Sequence, residues 1–201
     1  MGLLERSYAA IEDDDKLKED LKKVFESLPP LVQDELDELV TCVTACCASD
    51  TQLKNDQNEA DTRMVNDAFP YDGKYIIRIK RGIATSEERI YIVAHELAHA
   101  YLRHPTYLVR LRHLPISLSD DPKVREELHE LRMQIYDKVS GDPRAADGLK
   151  QLCDKIEELL EDDADLKVCQ WGFKSQLVAF HAKNNRRKPE FYELDFIVRL
   201  Q

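Results

Sequence analysis

Apolar residues recur at helical spacing through the first part of the chain. Between Leu3 and Leu28, the residues Leu17, Leu21, Val24, Phe25 and Leu28 share one helix face, and Pro29–Pro30 punctuates the stretch. A second amphipathic helix is expected from Leu31, with Leu36, Leu39, Val40 and Val43 on its apolar side, fading in Ala45–Cys46–Cys47–Ala48. From Ser49 to Asp67 the chain is polar and aperiodic, which predicts a long loop or a poorly ordered segment. The period then changes. After the turn residues Pro70–Tyr71–Asp72–Gly73, the residues Tyr75, Ile77 and Ile79 alternate with Ile76, Arg78 and Lys80, so Tyr75 to Ile83 reads as a strand with one buried face.

Helical spacing returns after Gly82. Thr85 with Glu88 forms a capping box, and the helix it opens runs to about His104, where Pro105 stops it. Its core stripe is Ile90, Val93, Ala94, Leu97, Ala98 and Tyr101. A charged amphipathic helix is expected from Asp121 to Ser140, and another from Asp147 to about Cys169, broken by Trp171–Gly172–Phe173. Phe191 to Leu200 reads as a strand or an extended return. The sum is an α+β fold, mostly helical, with a small sheet packed on the helix that follows the strand. Residues 1–67 are expected to form a helical arm and polar linker, and residues 68–201 the main domain.

Composition narrows the function. The 201 residues, 43% apolar and 34% charged, suit one domain with an appended arm and a sizeable core. A net charge of −10 repels phosphate backbones, and the only basic cluster, Asn184–Asn185–Arg186–Arg187–Lys188, is short, so no nucleic-acid partner is expected. No apolar run reaches the length of a membrane span, and the first residues lack the pattern of a signal peptide. The expectation is a cytoplasmic protein with no membrane partner. The five cysteines are odd in number and form no Cys-x-x-Cys pair, which points to reduced core thiols rather than disulfides or a thiolate metal site.

The chemistry concentrates in Ala94–His104, AHELAHAYLRH, which holds half of the chain's six histidines. His95 and His99 are four apart and project from one helix face, a spacing at which two imidazoles can share one tetrahedral zinc ion. Glu96 lies about 100° round the helix from His95, close enough to serve a metal-activated water as general base without ligating. This is the His-Glu-x-x-His arrangement of zinc peptidases. Val93, Ala94, Leu97, Ala98 and Ala100 around it are uncharged, unlike the face of a surface helix with incidental histidines. For a third ligand, His104 is nearest. It follows His99 by five residues with no glycine between, and lies on the helix side opposite His95, so it reads as a helix-end histidine. Glu161 is the candidate instead, with Asp165 one turn on to hold a ligand histidine by a hydrogen bond, and Asp162 as the fallback ligand. Glu157, Glu158, Asp162 and Asp163 otherwise read as solvated acids.

His95–Glu96–Leu97–Ala98–His99 with a later Glu161-x-x-Ala164–Asp165 resembles the gluzincin metallopeptidases. The CAAX prenyl proteases and the HtpX heat-shock peptidases share that pair of motifs, and the ImmA/IrrE-type proteins have a similar pair, usually with Asn for the aspartate. The resemblance covers Tyr75 to Phe173 and implies a zincin-like catalytic domain. It makes His95, His99 and Glu161 zinc ligands, Glu96 the general base and Asp165 the residue behind the ligands. It implies a peptide or protein substrate, with the strand from Tyr75 to Ile83 as the edge on which that substrate lies. His181 and Tyr192 are open as oxyanion stabilisers, on chain position only. The alternative is a non-enzymatic zincin-fold regulatory or protein-binding module, for which an intact Glu96 has no use.

Overall fold

The structure, a computed structural model, describes residues 1–46, 60–65, 73–83, 85–106 and 158–184. Internal contacts divide the chain into two units, Met1–Pro105 with Asp162–Gln201, and Thr106–Glu161. Nearly all of the second lies outside the described residues, as do the helix expected from Asp121 to Ser140 and the tail from Phe191 to Leu200. The first unit is α+β, mostly helical with a small mixed sheet. Among the described residues no helix is long and apolar enough to cross a membrane.

The first apolar stretch folds as two helices. α1 (Leu3–Ile11) ends at Glu12, whose φ of 53° is left-handed. α2 (Asp15–Ser27) starts afresh from Asp14, which accepts the Leu17 N–H at 3.0 Å. α3 (Pro30–Leu39) opens on a proline, at a position where no N–H is needed. It stops sooner than its apolar pattern suggests, because Val40–Cys46 is strand β1. A bulge between Val40 and Cys42 places Val40 opposite Tyr75 and Val43 opposite Ile77, so buried positions recur at intervals of three and imitate a helix. Arg6 of α1 secures the change from helix to strand. Its guanidinium donates to the carbonyls of Asp37, Val40 and Thr41 at 2.8–2.9 Å.

Strand β2 (Ala60–Met64) falls inside the segment that reads as irregular. Ala60, Thr62 and Met64 alternate with Asp61 and Arg63, a pattern too short and too weakly apolar to stand out, and Asp61 accepts from Arg78 at 2.8 Å and from Arg63 at 2.6 Å. Strand β3 (Tyr75–Lys80) has the expected alternation, with Tyr75, Ile77 and Ile79 fully buried. It is the central strand, parallel to β1 and antiparallel to β2. It therefore offers no free edge for a substrate, contrary to the expectation for Tyr75 to Ile83. α1 covers β1 from the side, with Ser7 Oγ accepting the Val43 N–H at 2.9 Å. Among the described residues, the other edge strand of this sheet is β2.

α4 (Ser86–Tyr101) begins at the capping box of Thr85 and Glu88 and is buried from Tyr91 to Ala98 without a break. The apolar stripe is wider than the sequence pattern indicated, since Tyr91 and Ile92 join it. A helix stretch buried on all sides belongs in the middle of a core. Burial of each large side chain there contributes about 1.5–3 kcal/mol. Leu17, Leu21, Val24, Leu36, Ile77 and Leu97 belong to one continuous cluster. Residues of α1, α2 and α3 thus share one core cluster with α4.

An ion pair fastens α2 to α4. Arg89 Nε donates to Asp20 Oδ2 at 2.8 Å, Ser86 Oγ donates to Asp20 Oδ1 at 2.6 Å, and both charged residues are buried. Asp20→Ala strands the Arg89 charge and is expected to cost about 3–5 kcal/mol. Replacing both residues with apolar ones is expected to recover most of that loss. Urea unfolding in the presence of a chelator measures it, and a cost under about 1 kcal/mol, the range of surface pairs, rejects this role.

Candidate metal centre

His95 and His99 sit one turn apart on α4, with their rings in edge contact at 4.6 Å between centroids. Their Nε2 atoms face each other at 3.0 Å. Two nitrogens bound at 2.0–2.1 Å to one tetrahedral ion stand about 3.3 Å apart, so the pair is spaced to share a metal. The third member comes from helix α5 (158–170). His95, His99 and Glu161 each offer a ligand atom within 4.8 Å of the others, a group that can hold a metal ion. His95 is buried, His99 half-buried and Glu161 exposed, so the site opens on the Glu161 side. Asp162 does not enter the group.

Behind His95 is a buried carboxylate. Asp165 Oδ1 accepts from His95 Nδ1 at 2.8 Å and from the Tyr91 hydroxyl at 2.8 Å. His181 Nε2 meets Asp165 Oδ2 at 3.2 Å. Burial, the largest single influence, pushes the Asp165 pKa up. The hydrogen bonds from His181, His95 and Tyr91 and the charge on His95 together outweigh it, leaving the carboxyl well below the usual carboxylate range. An ionised Asp165 accepts the hydrogen bond of His95 Nδ1–H and so leaves the Nε2 lone pair directed at His99. Burial and the Asp165 charge together raise the neighbouring Cys169 thiol to about 11, so it stays protonated.

The chain reaches this arrangement through two tight features. Ala164 and Val168 bury completely, and the small Ala164 precedes the carboxylate that meets α4. At the end of α5, Gly172 adopts a φ of 92°, and the Phe173 N–H bonds back to Val168 O at 3.1 Å. That turn returns the chain as α6 (Lys174–Lys183), which delivers His181 to Asp165.

Glu96 is buried beside the pair, and Thr62 Oγ1 of β2 lies 2.7 Å from its Oε2 and 3.0 Å from its carbonyl oxygen. His181 stands behind Asp165, with its Nε2 engaged there, which does not fit the oxyanion role left open for it. Tyr192 lies outside the described residues. His104 is not across the helix from the site. α4 ends at Tyr101, Arg103 takes a left-handed φ of 60°, and the turn brings His104 Nδ1 to 3.0 Å from His99 Nδ1. Asp163, expected to be solvated, meets His104 Nε2 at 3.3 Å. Tyr91 carried a readable signal, since it precedes His95 by four residues and shares its face. Thr62 carried none.

Comparison with protein-family models, curated proteins and solved structures finds no match to this chain.

One divalent transition-metal ion per chain is expected in a cobalt(II) titration. His99→Ala is expected to abolish binding. Asp165→Asn, which cannot accept the His95 proton as strongly, is expected to weaken it about 10- to 100-fold. Calorimetry that detects no metal uptake by the wild type rules the centre out.

Proposed function

We propose that the chain is a zinc-dependent metallopeptidase of the gluzincin type, with His95, His99 and Glu161 as ligands and Glu96 as general base. The observation that carries this reading is the facing pair of imidazole nitrogens, 3.0 Å apart, with the Glu161 carboxylate in the same group. Two neutral imidazoles and one carboxylate form a donor set that suits zinc and keeps a coordination position open. A zinc ion held there supplies Lewis acidity, acidifying a water and polarising a scissile carbonyl.

The remaining chemistry belongs to the chain's own side chains. Glu96 takes the proton of the attacking water and returns it to the leaving amine. The Thr62 hydroxyl, 2.7 Å from Glu96 Oε2, limits the rotamers of that carboxylate. Since Thr62 lies on edge strand β2, an extended peptide paired to β2 would place its carbonyl beside Glu96, with main-chain hydrogen bonds setting its direction. Asp165 keeps His95 in the ligating tautomer throughout the cycle.

The test is cleavage of an unfolded casein-like protein by zinc-loaded enzyme. Glu96→Gln is expected to keep one zinc per chain and lose about 10²- to 10⁴-fold in rate. Full hydrolytic activity in Glu96→Gln refutes the mechanism. A zinc-loaded wild type that cuts nothing points instead to a non-enzymatic binding module.

A further inference from the structure

The second ligand histidine has a partner of an unusual kind. His95 is backed by a carboxylate, but the outer nitrogen of His99 meets another imidazole, that of His104, at 3.0 Å between Nδ1 atoms. We propose that His104, with Asp163 behind it, is a positioning residue that fixes the tautomer and ring orientation of His99 for metal binding. This rests on the metal centre described above.

The proton count leads to one arrangement. Two Nδ1 atoms at 3.0 Å need a single proton between them, because two lone pairs repel and two N–H groups collide. His99 directs Nε2 toward His95 Nε2, so its lone pair there belongs to the metal. A neutral His99 then carries its proton on Nδ1 and donates it to His104 Nδ1. His104 must in turn be protonated at Nε2, and Asp163 Oδ2 stands there to accept, at 3.3 Å. Every nitrogen in the row finds a complementary partner. A metal between His95 and His99 lies across the His99 ring from His104, which explains why His104 is absent from the ligand group.

Two further observations favour a built feature. His104 is 4% exposed, so bulk water does not readily replace it as the acceptor for His99. Its place depends on Arg103 holding a φ of 60° without being glycine, a conformation that costs about 1–2 kcal/mol. The Leu102 and Arg103 N–H groups, bonded to Ala98 O at 2.9 Å and Ala100 O at 3.0 Å, hold that turn. Asp163 is about half exposed, so its pairing with His104 is screened and contributes less than the His104–His99 bond.

The experiment measures cobalt(II) affinity of the full chain by competition with a chromophoric chelator, together with nitrogen-15 imidazole spectra of the zinc-loaded wild type. His104→Ala is expected to weaken binding about 10- to 100-fold. His104→Asn, whose Oδ1 takes the place of Nδ1 as acceptor, is expected to recover most of the loss. The spectra are expected to show His99 protonated at Nδ1 and His104 at Nε2. A proton on His104 Nδ1, or equal metal affinity in wild type and His104→Ala, overturns the proposal. A wild type that binds no metal defeats the metal centre itself, which separates the two failures. Should His104→Ala not fold, the spectra of the wild type and the affinity of His104→Asn decide alone.

Discussion

A helix buried on all sides carries ionisable groups, and the structure around it is organised by the need to partner them. Inside a protein an unpartnered carboxylate or imidazole costs several kcal/mol. α4 places His95 and Glu96 in such surroundings, and the neighbouring elements answer each of them. Asp165 of α5 accepts the His95 Nδ1–H hydrogen bond, Tyr91 donates to the same carboxylate, and His181 of α6 meets its other oxygen. Thr62 of β2 meets Glu96. Asp165, His181 and Thr62 each come from a different part of the chain, so the polar site also dictates how α5, α6 and β2 dock on the helix.

The same constraint gives the N-terminal helices their place. α4 cannot cover itself, and its flank opposite the polar network needs apolar neighbours. α2 and α3 supply them with Leu17, Leu21, Val24 and Leu36, all fully buried. The Asp20–Arg89 pair then fixes α2 against the first turns of α4. A substitution of these buried residues therefore reaches the candidate metal centre through the packing of the helix that carries it. His95 and His99 keep their spacing only while α4 stays rigid, and that rigidity comes from dense packing on every side.

Local patterns were readable where one face of one element decides the structure. The capping box of Thr85 and Glu88, the alternation of β3 and the break at Trp171–Gly172–Phe173 depend on residues close in sequence, and all three stand in the structure. Reading failed where a distant partner decides. Val40 and Val43 sit at helical spacing, yet they form a bulged strand because β3 pairs with them and Arg6 takes the carbonyls at the junction. Residues 60–64 carry only a short, weakly apolar alternation, yet they form a strand that pairs with β3, where Asp61 finds Arg78.

The candidate site divides in the same way. Helix periodicity converts the His95 and His99 spacing, with Glu96 adjacent, directly into a shared face, while Glu161 and Asp165 stand out from an acidic run only beside that motif and by its family resemblance. Beyond Asp165, the sequence could not show which groups stand behind those residues. Thr62, His181 and Asp163 approach from other elements, and no periodicity relates them to α4. His104 was misplaced for a related reason. Extrapolating an ideal helix through Arg103 puts it on the far side, whereas a left-handed residue at the helix end turns it back against His99. Spacing along one helix is a local property that sequence determines; the partners that satisfy buried polar groups are set by docking between elements, which only the tertiary structure decides.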